Sequence, residues 1–295
     1  MKTCLIIAAT ITALTAPTAI AQTFETVDKS PAGDRFEKSA NFDTLGFRPG
    51  DTIEDVKSKL KAEFPDAGEP REQRLKGKIA TPDGAQVDLD FVNEISLSST
   101  DGRNQIYVGI SSQVYDNRAL SIRRILGFDT FTTRDVFRKQ IEEKYGTPSI
   151  VDDNDANSLQ LFYLYADGRL ISPKDAPRRG NRCQNDVCDD SKMTSPTSQS
   201  LAVETAQRPC AAYLRSQWQY MGTYTPQERL TIVKDDRCDG IMRVSMQNLQ
   251  TELNSAEIML VDVKRAYGHQ TALDAAIEAK LKQGVDMDKV AKPRL

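Results

Sequence analysis

Apolar positions recur along this chain at two spacings, and the change from one to the other marks its elements. Ile53, Val56, Leu60 and Phe64 fall on one face of a helix that Pro65 ends. Val136, Phe137, Ile141 and Tyr145 make a second such face, closed by Gly146-Thr147-Pro148. Leu273, Ile277 and Leu281 predict a third helix, from Thr271 to Gly284. Each opens on T-x-x-D: Thr52 with Asp55, Thr132 with Asp135, Thr271 with Asp274. The threonine hydroxyl accepts from an otherwise unpaired amide, while the acid reaches back and favours the positive helix end. These are caps and carry no chemistry beyond that.

Between the helices the period falls to two. Val87, Leu89 and Phe91 alternate with Asp88 and Asp90, and Met242, Val244 and Met246 alternate with Ile241, Arg243 and Ser245. Four Asp-Gly pairs, at 83–84, 101–102, 167–168 and 239–240, predict tight antiparallel turns. Leu159 to Tyr165 is apolar on both faces, which predicts a central strand covered by a helix. Ile122-Arg123-Arg124-Ile125-Leu126-Gly127 and Val263-Lys264-Arg265-Ala266-Tyr267-Gly268 share one pattern, read as a strand that ends at a glycine turn and feeds a helix. Alternation then sends one arginine of a pair to solvent, which accounts for the pairs without an anion site. The expectation is an α+β fold: two tandem modules of antiparallel sheet with helices packed on one face, the second stapled by disulfides. The modules span 45–118 and 119–295, after a polar, poorly packed arm over 22–44.

The chain begins with an export signal. Lys2 is followed by an apolar run from Cys4 to Leu14, and Thr18-Ala19-Ile20-Ala21 offers a cleavage site before Gln22. The run is too short to cross a membrane, which takes about 20 apolar residues, and no later stretch does so. A periplasmic or secreted location follows. With 39 basic and 42 acidic side chains the formal charge is −3, and cleavage removes only Lys2. Nothing in that balance attracts nucleic acid.

Cleavage also removes Cys4 and leaves Cys183, Cys188, Cys210 and Cys238, an even number in an oxidising compartment. Three pairings are open. Cys183 with Cys188 and Cys210 with Cys238 is preferred, because the first pair closes a short loop inside one polar segment. Zinc is disfavoured, since no C-x-x-C occurs and the single histidine, His269, is remote in sequence.

That solitary histidine restricts the chemistry. A Ser-His-Asp or Cys-His hydrolase would have to run through His269, which precedes the predicted helix start and reads as a surface turn residue. Ser58-Lys59-Leu60-Lys61 matches S-x-x-K without its companion motifs. Asp153, Asp155 and Asn157 imitate a calcium loop, but Ser158 and Leu164 stand where glycine and glutamate belong. No Walker loop or dinucleotide fingerprint occurs, and no cofactor or metal is expected. The long polar segment 172–207, with Pro173, Pro177 and Pro196, balances Arg178, Arg179 and Arg182 against Asp186, Asp189 and Asp190 and reads as a solvated loop. Trp218 and Tyr220, near Tyr213 and Tyr224, are candidate ligand contacts, with core packing the default.

Thr52-x-x-Asp55-Val56 and Thr132-x-x-Asp135-Val136, with Tyr145-Gly146-Thr147-Pro148 after the second, resemble the helix openings and Gly-x-Pro exit of the BamE (SmpA/OmlA) lipoproteins and the similarly built β-lactamase-inhibitor-protein fold. The resemblance covers two stretches of about twenty residues. It implies tandem modules of small helices on antiparallel sheet that bind other proteins. The lipid-attachment cysteine of the BamE group is missing, and no interface residue carries across. Two functions follow: a non-catalytic module binding a periplasmic protein or cell-envelope ligand, or a hydrolase working with carboxylates alone.

Overall fold

The computed structural model describes residues 36, 41–81, 85–128, 132–155, 158–177, 208–211, 214, 237–249 and 252–283, and the elements bounded within them are three α-helices and a nine-stranded antiparallel sheet. The fold is α+β. Helix α1 (Ile53–Glu63) is followed by a meander of β1 (Arg71–Ala80), β2 (Gln86–Ser98), β3 (Asn104–Ile110) and β4 (Ala119–Gly127). Helix α2 (Arg134–Tyr145) is followed by β5 (Ile150–Asp155), β6 (Ser158–Ala166), the short β7 (Arg169–Leu170), β8 (Gly240–Leu249) and β9 (Glu252–Asp262). Helix α3 (Val263–Gln283) comes last.

The strand order is β1-β2-β3-β4-β9-β8-β6-β5, with β7 attached to β6. Helix α1 thus leads into four antiparallel strands and α2 into four more plus the short β7, and the last strands of the two sets, β4 and β9, pair from Ser121↔Val261 to Gly127↔Ser255. The two expected modules are therefore halves of one continuous sheet. The expected division near residue 118 falls just before β4, which completes the first meander.

Threonine caps set the first two helices. Thr52 Oγ1 accepts from the Asp55 amide at 3.0 Å while Asp55 accepts from the Thr52 amide at 3.1 Å, a complete capping box. In α2 the cap is Thr133, one residue later than expected, and its hydroxyl accepts from Val136 N–H at 3.3 Å. Val136 is exposed rather than on the packed face. Gly146, with φ +84, ends α2. Val56, Leu60, Phe137, Ile141 and Tyr145 seat both helices on one face of the sheet, over Ile95, Val108, Ile122, Leu260 and Tyr163.

Helix α3 departs from expectation. Val263 to Gly268 is helical, not a strand with a glycine turn, so the helix starts at Val263 rather than Thr271. The cause is a buried acid at the end of β9: Asp262 accepts from Arg265 N–H at 2.8 Å and from Arg265 Nε at 3.2 Å, capping a helix that the local pattern places eight residues later. Asp239 reinforces the start. Its carbonyl accepts from Val263 N–H, and its carboxylate takes Lys264 Nζ at 2.5 Å and Gly168 N–H at 2.7 Å. Asp239-Gly240 is consequently the entry to β8 and not a hairpin turn. Asp167-Gly168 does turn, with φ of +51° and +75°, and Asp101-Gly102 lies between β2 and β3, as expected. Asp83-Gly84 lies outside the described residues.

Helix α3 also takes the opposite face from α1 and α2, correcting the expectation of helices on one side. A bulge explains where its seat comes from. Gln73 pairs with Glu94 but Arg74 pairs with Val92, so Asn93 is the extra residue of β2. The odd positions of β2 are buried throughout, yet the bulge swaps their side: Ile95 and Leu97 face α1, whereas Val87, Leu89 and Phe91 face α3. There Leu273 and Ile277 of α3 cover them. The other side of this β1–β2 ribbon is a ladder of charge, with Arg74 on Asp90 at 2.8 Å and Lys78 near Asp88 at 3.9 Å.

The described part of the N-terminal arm is packed, against expectation. Phe36 and Phe42 are buried and stack at 4.0 Å beside Tyr165, over a Gly240 whose Cβ would lie 2.7 Å from the Phe42 ring. Strand β6 behaves as predicted: Leu161 and Tyr163 are buried on the α1–α2 face, Phe162 and Leu164 on the other.

Candidate functional site

On the face that carries α3, the helix covers the β1–β2 ribbon and the ends of β8 and β9, and the centre of the sheet carries a mixed row, polar and partly open on β2, β3 and β4 and mostly buried on β9, β8 and β6. Ser96, Tyr107, Arg123, Met259, Arg243 and Phe162 follow one another across the strands. Arg123 is 46% exposed, while its neighbour Arg124 turns to the other face and is half-buried, as the alternation of a strand requires. Arg123 Nε donates to Glu257 Oε2 at 2.7 Å, and Arg243 donates to the other oxygen of the same carboxylate. Arg123 also lies 5.6 Å from the centroid of the Tyr107 ring. Tyr107 donates its hydroxyl proton to Gln105 Oε1 at 2.5 Å. Burial pushes the Arg243 guanidinium below its ordinary pKa, which the adjoining Glu257 charge opposes.

Beside this row lies a depression of about 460 Å³ whose lining includes Glu69, Arg71, Ser96, Leu97, Ser98 and Tyr107. Glu94 stands on the same face of β2, and burial raises its carboxyl above the usual range, partly offset by Arg123. Glu94 and Glu257 lie on β2 and β9, with β3 and β4 between them. Glu94 is level with Val261 on β9, four residues from Glu257, so three strand spacings across and four residues along put their backbones roughly 20 Å apart. Among the described residues no three His, Cys, Asp or Glu side chains gather as metal ligands, and no helix is long and apolar enough to cross a membrane.

Of the residues singled out in the sequence, Cys210 and Cys238 come together, with sulfurs 2.05 Å apart, in an apolar cluster with Leu214, Ile171 and Ile241. Cys183, Cys188, Trp218 and Tyr220 lie outside the described residues, as do the export signal and residues 178–207. His269 is not a surface turn residue. It sits inside α3, 1% exposed, with Nε2 accepting the Ser112 amide N–H at 3.0 Å and lying 3.1 Å from the Ser112 hydroxyl. Burial lowers its pKa to about 3. The position is structural: the ring ties α3 to the 3₁₀ turn Gln113–Tyr115.

The same junction needs the preceding glycine. A Cβ on Gly268 would stand 2.5 Å from the Tyr115 hydroxyl. Gly268→Ala is expected to cost about 1–3 kcal/mol by overpacking, against the gain in helix propensity. Adding Tyr115→Phe should restore part of it in urea denaturation.

Arg123, Tyr107, Gln105 and Glu257 were not legible as a site. In the sequence they belong to separate alternating runs, and only the β4–β9 pairing brings two of those runs together. No family model matches the chain, and no curated protein and no solved structure matches it significantly.

Proposed function

We propose that the chain is an exported, non-catalytic binding module that takes a periplasmic protein or cell-envelope ligand on the polar sheet face around Tyr107 and Arg123. The observation that carries this reading is that face itself: cross-strand side chains offering guanidinium, phenol, amide and carboxylate groups, with Arg123 open to solvent. Such mixed hydrogen-bonding surface around an aromatic and an arginine is what protein interfaces favour. The resemblance of the two helix openings to BamE-like and β-lactamase-inhibitor-like modules points the same way. Carboxylate hydrolysis needs two acids about 5–10 Å apart. The wide separation of Glu94 and Glu257, and the engagement of Glu257 by two arginines, support binding over that chemistry.

The test is retention of partners from periplasmic extract by immobilised wild type and by the Tyr107→Ala/Arg123→Ala variant. Glu257 keeps Arg243 in the variant, so its melting temperature should stay within a few degrees of wild type. A partner identified by mass spectrometry should bind the variant at least tenfold more weakly. Equal retention by both proteins, or none by either, overturns the reading.

A further inference from the structure

Helix α3 spans two environments. Its first turns, with Val263 and Ala266, join Ile241, Met259 and Val261 of the main sheet beside the Cys210–Cys238 pair. Its later turns leave the main sheet, and Leu273 and Ile277 cover Val87, Leu89 and Phe91 of the two-stranded ribbon. Residues 86–92 of β2 pair with β1 and not with β3, and among the described residues α3 buries the apolar side of the ribbon together with Val114 of the 3₁₀ turn. Between the two environments stands Gly268, a weak point in any helix interior. The next residue is His269.

The bond made by His269 has a fixed polarity. An amide N–H can only donate, so Nε2 accepts from Ser112 as a lone pair and the ring is neutral. A proton on Nε2 would turn donor against donor at 3.0 Å. Ser112 and Tyr115 from the turn and Phe91 from β2 face the ring, the two aromatic rings at 6.2 and 6.3 Å. One turn back on α3, Arg265 is locked to Asp262. Burial of the ring depresses its basicity.

We propose that α3 beyond Gly268 is an acid-released latch: protonation of His269 breaks its bond to Ser112 and frees this part of the helix from the ribbon, uncovering Val87, Leu89 and Phe91. The sign follows from linkage. The released histidine takes up a proton below about 6.5 and the docked one only near 3, so docking is fully favoured above 6.5 and weakens as pH falls towards 3. At pH 5 the open fraction should rise roughly 30-fold over that at pH 7.5. Export would place the helix where it meets the pH outside the cytoplasm.

The experiment is amide hydrogen exchange of the full chain between pH 7.5 and 5, corrected for intrinsic exchange rates. Protection of residues 270–283 and 87–91 should fall about tenfold per pH unit below 6.5, while residues 241–247 in β8 hold theirs. His269→Gln keeps an acceptor near Nε2 without a titrating proton, and its α3 protection should not change with pH. If that variant does not fold, the slope in the wild type decides alone. Protection of α3 that is unchanged at pH 5, a variant with the wild-type slope, or loss of protection in β8 together with α3 would each overturn the latch.

Discussion

Asp262→Ala is expected to destabilise the protein by about 3–5 kcal/mol, the largest effect of any single substitution considered. Asp262 and Arg265 are 2% and 4% exposed, and the carboxylate both caps α3 and neutralises the guanidinium. Removing it strips the cap, worth about 1 kcal/mol, and leaves a buried cation facing Gly50, whose Cα side is already close to the Arg265 guanidinium. Asp262→Asn separates the two contributions, since it keeps an acceptor for the amide and loses the charge. Urea denaturation of the two variants reads the difference. A loss below about 1 kcal/mol for Asp262→Ala would show that the pair is replaceable.

The second large effect concerns the cysteines. Cys210 and Cys238 are 28 residues apart in sequence, and a cross-link of that span restricts the unfolded chain by about 3–4 kcal/mol. Cys210→Ala/Cys238→Ala should therefore lower the melting temperature by roughly 10 °C. The effect should be local in origin, because both sulfurs lie in the cluster that seats the first turns of α3. Calorimetry of the variant beside the wild type, without reductant, measures it. An unchanged melting temperature would mean that the surrounding apolar contacts already hold these segments together.

Much of this architecture is written locally. The α1 cap works as its T-x-x-D predicts, because Thr52 and Asp55 bond to each other's backbone and need nothing distant. Alternation in β2 and the double-sided burial of β6 are likewise visible in the residues. Two features escaped. The bulge at Asn93 leaves the odd-position pattern of β2 intact while moving half of it to the other face, so no count of apolar positions detects it. The start of α3 escaped because Asp262 works there as a buried cap, whereas Val263 to Gly268 imitates the strand pattern of Ile122 to Gly127. Burial chose between them. The candidate site escaped for a related reason: Tyr107 and Arg123 are ordinary polar members of alternating strands until β3, β4 and β9 set them side by side.

By itself the sequence determined what short-range forces decide: the capped start of α1, the existence of α2 to within one residue of its cap, the alternating strands, the α+β class and the pairing of Cys210 with Cys238 as the preferred choice. Tertiary structure alone decided that the two meanders share one sheet, that α3 crosses its other face, and that the single histidine is buried at the crossing. The physical reason is range. Caps and periods act across a few neighbouring residues, whereas which face is covered, and what lies beneath a buried ring, depends on strands separated by more than a hundred residues.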